Sequence, residues 1–325
     1  MSRAQLTSTV EQNTGGAVAP FLAGKNFCIN GGMDIWQRGT SFSGAGVYTS
    51  DRWYSGNANT TYAQETSVVP TGIRYAMKIT TSTTGVAPTI WQAVETANAI
   101  QFAGQTVTLS FYARSTDAVA ALIRLDYSTT SDNAVTGSYT SIGASTPATT
   151  STGYTRVSAQ FAVPSNALTL RLIIGAGANL SNGGSFYITG IQLEAGSVAT
   201  PFSRAGGTFQ GELALCQRYY WRGISGASYG FLNGAGFSYT SSNAQISVTY
   251  PVTMRAIPSS VDYSSLVVQD SAAGIFSLSS ITLDASVTNT IGASFAGTTS
   301  GMTTNRFLRL LGSGSTAYIG FSADL

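Results

Sequence analysis

From residue 26 to about 205 the chain alternates apolar and polar positions, stretch after stretch. In TGIRYAMKIT, Ile73, Tyr75, Met77 and Ile79 share one side while Arg74 and Lys78 take the other. TVTLSFYARS sets Val107, Leu109, Phe111 and Ala113 against Thr108, Ser110, Tyr112 and Arg114. ALIRLDYS, YTRVSAQFAV and ALTLRLIIG continue the pattern through Ile123, Leu125 and Tyr127, then Val157, Ala159 and Phe161, then Leu170, Leu172 and Ile174. A period of two belongs to a strand whose successive side chains point to opposite faces, so each stretch predicts a half-buried antiparallel strand with one wet face. Turn residues at Pro70-Thr71-Gly72, Gly85, Gly104, Pro164-Ser165-Asn166 and Asn182-Gly183-Gly184 separate the stretches. Many short strands divided by polar turns predict a sandwich or jelly roll. One stretch changes phase. In SFYITGIQLE, Phe186 and Ile188 share a face, but Ile191 and Leu193 have the opposite parity, which predicts a bulge at Gly190.

One segment has another rhythm. In TFQGELALCQRYYWR (208–222), Phe209, Leu213, Cys216 and Tyr220 recur at i, i+4, i+7 and i+11, the spacing of one helix face. Thr208 is the expected N-cap, although Gly211 stands where a capping box needs Glu or Gln. Glu212 in the first turn, with Arg218 and Arg222 late, suits the helix dipole. Alternation then returns through Ile246, Val248, Tyr250, Val252 and Met254, and again through Ala317, Ile319 and Phe321. The expected chain is therefore all-β apart from this link. It runs as an N-terminal attachment arm over 1–25, a jelly-roll domain over 26–205, a linking helix over 206–222, and a second, smaller β-sandwich over 223–325. Leu6 and Val10 would share one face of the arm, docking it or bundling it with its copies. Phe209, Leu213, Cys216 and Tyr220 would pack at the domain junction or against partner copies.

Composition narrows the function. Only 9% of the 325 residues are charged, against roughly a quarter in ordinary soluble domains, so Ser, Thr, Asn and Gly carry solubility. Aromatic residues at 11% argue for packed cores rather than disorder. Low charge also suits flanks covered by copies of the same chain, since charged residues are depleted at interface cores. The net charge of +2 and the scattered arginines give no basic stripe for nucleic acid. No run of 18 apolar residues predicts a membrane span, and no apolar signal core opens the chain. Cys28 and Cys216 fall in different predicted domains and read as small core residues.

There is no histidine. Ser-His-Asp and Cys-His catalysis and the common hydrolytic zinc sites all need an imidazole, so most hydrolase chemistry is excluded. Carboxylate-pair glycosidase chemistry survives that exclusion, with Glu65, Glu95, Asp117 and Asp126 as the available acids. No spacing signature supports a pair among them, and the expectation is a non-enzyme without cofactor or metal. Asp34, Arg38, Asp51 and Arg52 concentrate charge near Trp36 and Trp53. Two readings stay open for them: a polar groove with aromatic walls for a sugar, Trp53 among its ligand-binding residues, or ion pairs that fix irregular backbone. Tyr229, Phe231, Phe237 and Tyr239, interleaved with Gly and Ser, are the best candidates for an exposed recognition surface, because binding loops favour that mixture. Alternate members of a strand pair, half of them turned inward, would read the same way.

Five runs carry a likeness in combination: NFCINGGMDIWQRGTSF, YTSDRWY, VTLSFYARS, SFYITGIQLEAGSVATPFSR and GELALCQRYYW. Over about 26–222 the chain resembles a group of tailed-phage virion proteins, tail-fibre or other structural components frequent in phages of cyanobacteria and other marine bacteria. The resemblance implies a carbohydrate-binding-module-like jelly roll and a homotrimeric appendage. Glycan-binding jelly rolls of that type often hold calcium through an acid beside the last strand, where this chain reads Tyr187-Ile188-Thr189-Gly190. PVTMRAIPS and the terminal FSADL are short echoes in an otherwise variable tip. The expectation is a homotrimeric tail fibre or receptor-binding protein on the virion, made in the host cytoplasm. Its arm would meet other tail or capsid proteins, and its tip a host surface glycan. The alternatives are a capsid decoration or connector protein with no ligand except its neighbours, and a polysaccharide depolymerase.

Overall fold

The computed structural model describes residues 25–151 and 153–325. Leu6, Val10 and the rest of the expected arm lie outside the described residues. Two compact units part at Leu213/Ala214, the second running Ala214–Asp324.

The strands of the first unit are β1 (Ser41–Ser43), β2 (Tyr54–Ser55), β3 (Thr60–Glu65), β4 (Ala76–Thr81), β5 (Thr89–Val94), β6 (Thr106–Ser115), β7 (Ala121–Ser128), β8 (Thr140–Ser145), β9 (Thr155–Ala162), β10 (Thr169–Ala176) and β11 (Ser185–Ala195), with one helical turn, α1 (Thr96–Ala99). They form a six-stranded sheet ordered β1-β3-β4-β11-β6-β9 and a five-stranded sheet ordered β2-β5-β10-β7-β8. The sets β4-β11-β6-β9 and β5-β10-β7-β8 interleave in sequence and place the last strand beside the first, which is jelly-roll topology. The inward series read from the sequence meet between the sheets: Met77, Ile79, Leu109, Phe111, Ile123, Leu125, Leu170 and Leu172 all belong to one core. Each such side chain contributes about 1.5–3 kcal/mol on full burial.

The phase change falls where the alternation predicts it. The β11–β6 register shifts between Thr189 and Gln192, with Gly190 at φ 61°. A Cβ at Gly190 would lie 2.8 Å from Cδ2 of Tyr112, so the Tyr112 ring rests directly on the bulge.

The linking segment forms α2 (Phe209–Gln217). Thr208 caps it, its hydroxyl accepting the Gly211 N–H at 3.0 Å. The helix differs from expectation in the face it buries. Phe209 is exposed and Leu213 only half-buried, while Glu212 and Cys216, one turn apart, are buried. The helix ends at Gln217, so Tyr220 falls in the following strand and cannot extend the stripe. The Glu212 carboxylate accepts the Gly206 N–H at 2.7 Å and the Asn30 N–H, tying the first half of α2 to the jelly roll. The boundary between units therefore falls inside the helix, not at its ends.

The second unit comprises β12 (Tyr220–Ile224), β13 (Phe231–Ser238), β14 (Asn243–Thr249), β15 (Ser260–Ser264), β16 (Leu266–Asp270), β17 (Ile275–Ser277), β18 (Ser280–Leu283), β19 (Gly292–Thr298), β20 (Phe307–Gly312) and β21 (Tyr318–Ser322). A three-stranded sheet, β12-β21-β15, packs on a seven-stranded sheet, β17-β16-β20-β13-β14-β19-β18. Trp221, Ile319 and Phe321 meet Ile246, Val248, Phe295, Leu308 and Leu310 in the core between them. This is the second, smaller β-sandwich that the alternation after 223 predicts.

Candidate functional site

The seven-stranded sheet buries one face and turns the other outward. In β20, Leu308 and Leu310 are buried, so Phe307 and Arg309, of opposite parity, point away from the core. Strand β13 sets Phe237 opposite Phe307, Ala235 opposite Arg309 and Phe231 opposite Leu311. An irregularity between Phe231 and Gly234, with Asn233 at φ 56°, absorbs the extra residues that keep Phe231 on the outer side. Gln269 of β16 stands opposite Arg309, and Ile275 of β17 opposite Gln269.

These residues enclose a groove of about 490 Å³ lined by Tyr229, Phe231, Ala235, Gln269, Phe307, Arg309 and Leu311. A smaller hollow of about 260 Å³ shares Gln269, Phe307 and Arg309 and reaches Asp270. Phe231 is 57% exposed and Phe307 61% exposed, so the walls are aromatic and bare. Tyr229 sits in the preceding turn at φ 58°, a left-handed conformation that costs a bulky residue of order 1–3 kcal/mol. Its N–H donates to the Gly312 carbonyl at 2.8 Å, which fixes the turn against β20.

The polar groups are few and directional. Arg309 Nε donates to the Gln269 side-chain oxygen at 2.9 Å, leaving its terminal N–H groups without a partner among the described residues. At the rim, Arg306 donates to Asp270 at 2.7 Å. That bond, followed by the Gly274 and Ala272 N–H groups, holds the Asp270 carboxyl below its ordinary value.

All four recognition residues expected from the 226–242 segment are exposed on this unit. Tyr229 and Phe231 line the groove, and Phe237 meets Tyr239 edge-on at 6.5 Å just beyond it. Phe307, Arg309, Leu311 and Gln269 were not anticipated. Their signal is the alternation in FLRLLG, which is plain only once β20 is known to lie beside β13.

Trp53 is a correction. It is fully buried in the jelly-roll core, and its indole N–H donates to the Asn30 carbonyl at 3.1 Å. A satisfied N–H lets the whole ring leave water, so Trp53 is no ligand wall. The charge cluster around it is likewise engaged within the fold. Asp34 pairs with Arg204 at 2.7 Å, Asp51 accepts the Gln37 N–H at 2.9 Å, and Arg52 donates to the Ala93 carbonyl at 2.7 Å.

The carboxylates considered for glycoside chemistry are also engaged. Asp126 is held by Arg124 at 2.6 Å and Arg171 at 2.8 Å, Glu65 accepts the Ser67 and Val68 N–H groups, and Asp117 accepts the Ser181 N–H at 2.5 Å. No group of three His, Cys, Asp or Glu residues that could hold a metal occurs among the described residues. Tyr187-Ile188-Thr189-Gly190, where the family likeness places an acid for calcium, carries none.

The sequence matches no family model and no curated protein. Solved structures show a faint likeness. A protein from Bacteroides thetaiotaomicron, described as a candidate sugar-binding protein, is 12% identical with a TM-score of 0.37, covering 53% of this chain and 100% of its own. The enzymatically active domain of tailspike protein 4 from bacteriophage CBA120 is 14% identical with a TM-score of 0.36, covering 52% of this chain and 21% of its own. A xylan-binding domain from Paenibacillus barcinonensis is 12% identical with a TM-score of 0.33, covering 55% and 98%.

Proposed function

We propose that this protein is a non-enzymatic adhesin of a tailed-phage particle, a homotrimeric tail fibre or receptor-binding protein that grips host surface glycans. The observation that carries the reading is the bare aromatic groove of the second unit, with Arg309 and Gln269 at its floor. Sugar rings lie their C–H faces on aromatic walls while a few fixed polar groups bond their hydroxyls, the general form of a small-ligand site. Single contacts of this kind are weak, and copies tethered in one appendage multiply them by effective concentration. The charge-poor composition and the likeness of 26–222 to virion proteins support a symmetric assembly on a particle.

The full-length protein on a glycan array, beside Phe231→Ala/Phe307→Ala, tests the site. Specific spots for the parent that fade at least tenfold for the variant are expected. Array silence from a protein that assembles through the same face would instead favour a decoration or connector protein, whose aromatic surface is covered by neighbours. Turnover of a host polysaccharide would defeat both readings.

A further inference from the structure

The outer face of the six-stranded sheet collects cations that have no carboxylate partner among the described residues. Across one row, Lys78 of β4, Tyr187 of β11 and Arg114 of β6 stand side by side. The Arg114 guanidinium lies 5.0 Å from the centre of the Tyr187 ring, and Lys78 Nζ lies 5.8 Å from it. In the next row Arg156 of β9 stands opposite Tyr112, 5.7 Å from its ring. In a chain with 16 cations and 14 acids, most buried acids have claimed an arginine or a turn. None of Lys78, Arg114 and Arg156 has a carboxylate within ion-pair distance among the described residues. They are held on tyrosine faces, an arrangement that keeps a cation in place without neutralising it.

Beside Arg114 the surface opens into a groove of about 460 Å³, walled by Val68, Pro70, Thr71, Tyr112, Arg114 and Tyr154. Its walls are built. The Tyr154 hydroxyl donates to the Val68 carbonyl at 2.9 Å, closing the 66–72 loop over one side. The Tyr112 ring is laid down by the Gly190 bulge. Arg114 Nε donates to the Ser151 carbonyl at 3.0 Å, which aims the guanidinium and leaves its terminal N–H pair unspent. The Tyr112 hydroxyl has no protein partner among the described residues. Arg156 spends one terminal nitrogen on Ser110 Oγ and the Thr200 carbonyl, so it supplies charge rather than a contact. Glu65, whose loop walls the groove, is turned onto its own Ser67 and Val68 N–H groups, and this bonding outweighs burial and holds its carboxyl below the ordinary value.

We propose that this groove binds an acidic saccharide, a hexuronate-bearing oligosaccharide whose carboxylate sits on the Arg114 fork and whose ring lies against Tyr112. A guanidinium fork matches a carboxylate in bidentate geometry, and charge-assisted bonds of that kind are about twice as strong as neutral ones. The volume suits a small ligand, and three cations on one sheet are too few for a nucleic-acid backbone. The proposal stands independently of the aromatic groove on the second unit.

The test is calorimetric titration of the full chain with a tetramer of 1,4-linked galacturonic acid, beside the same tetramer fully methyl-esterified. The acid form is expected to bind at least tenfold more tightly, and its affinity to fall as salt is raised, since exposed charges are screened within about 8 Å at physiological ionic strength. Arg114→Gln should lose at least tenfold and Glu65→Gln gain a few-fold. If Arg114→Gln melts early, Lys78→Gln, on the wet face, carries the same test with a smaller loss. Equal binding of acid and ester, no uptake of the acid tetramer, or indifference to both cation variants would each overturn the assignment.

Discussion

Asp126 offers the sharpest test of how a charge-poor sandwich holds its ionic groups. Its carboxylate is fully buried and accepts Arg124 Nε at 2.6 Å and Arg171 Nη2 at 2.8 Å. The two arginines are not equivalent. The Arg124 side chain is 38% exposed, and a pair so open to water is worth about 0–1 kcal/mol. Arg171 is only 11% exposed, 4.3 Å from the Tyr139 ring and 5.2 Å from the Trp91 ring. Asp126→Asn would strand that guanidinium, and breaking a buried pair from one side costs about 3–5 kcal/mol. Arg171 keeps its bond to the Val135 carbonyl at 3.0 Å, which places the loss near about 3 kcal/mol. For domains of this size that is roughly 6–12 °C in the melting transition. Urea and thermal unfolding followed by near-ultraviolet circular dichroism would read it. Because the penalty is an orphaned charge, Asp126→Asn/Arg171→Met should recover at least half of it. A double variant as unstable as the sum of its single changes would refute the argument.

Three further outcomes follow from the same structure. Gly190→Ala combines a left-handed backbone with a 2.8 Å approach to Tyr112 and should cost about 1–3 kcal/mol in chemical denaturation. Thr208→Ala removes the hydroxyl that caps α2 and should cost about 1 kcal/mol, read by the same titration. Asp270 has its folded-state pKa depressed by Arg306 and two N–H groups, so its contribution is complete above the ordinary value of 3.8 and fades as pH falls through the folded one. Asp270→Asn should therefore be less stable than the parent at pH 6 and converge on it as pH falls through the folded pKa; a gap unchanged across acid titration would contradict the assigned cause.

Most of the strand content was legible because successive side chains of a strand point to opposite faces, and a register change has to show as a change of parity. Gly190 is the case in point, since both the bulge and its position could be read from Ile188 and Ile191. The cap at Thr208 was legible for the same local reason. The buried face of α2 was not. An acidic side chain counts as polar in any periodicity, yet Glu212 turns inward because Gly206 and Asn30 offer it N–H groups from elsewhere in the chain. Trp53 illustrates the opposite error: an indole beside charges reads alike whether it walls a groove or fills a core. The aromatic groove was half visible. Tyr229 and Phe231 advertise themselves in a Gly- and Ser-rich run, but Phe307 and Arg309 reach them only through the pairing of β13 with β20, which no local pattern announces.

The margins of the seven-stranded sheet carry a consequence of their own. It ends in β17, three residues long, and β18, four residues long. A surface studded with phenylalanine invites unwanted company, and long bare edges beside it would let chains knit sideways into fibrils. Stubby selvedges give such a newcomer almost nothing to stitch onto. The exposed aromatic face of this sheet is thus bordered on both sides by strands too short to template much pairing.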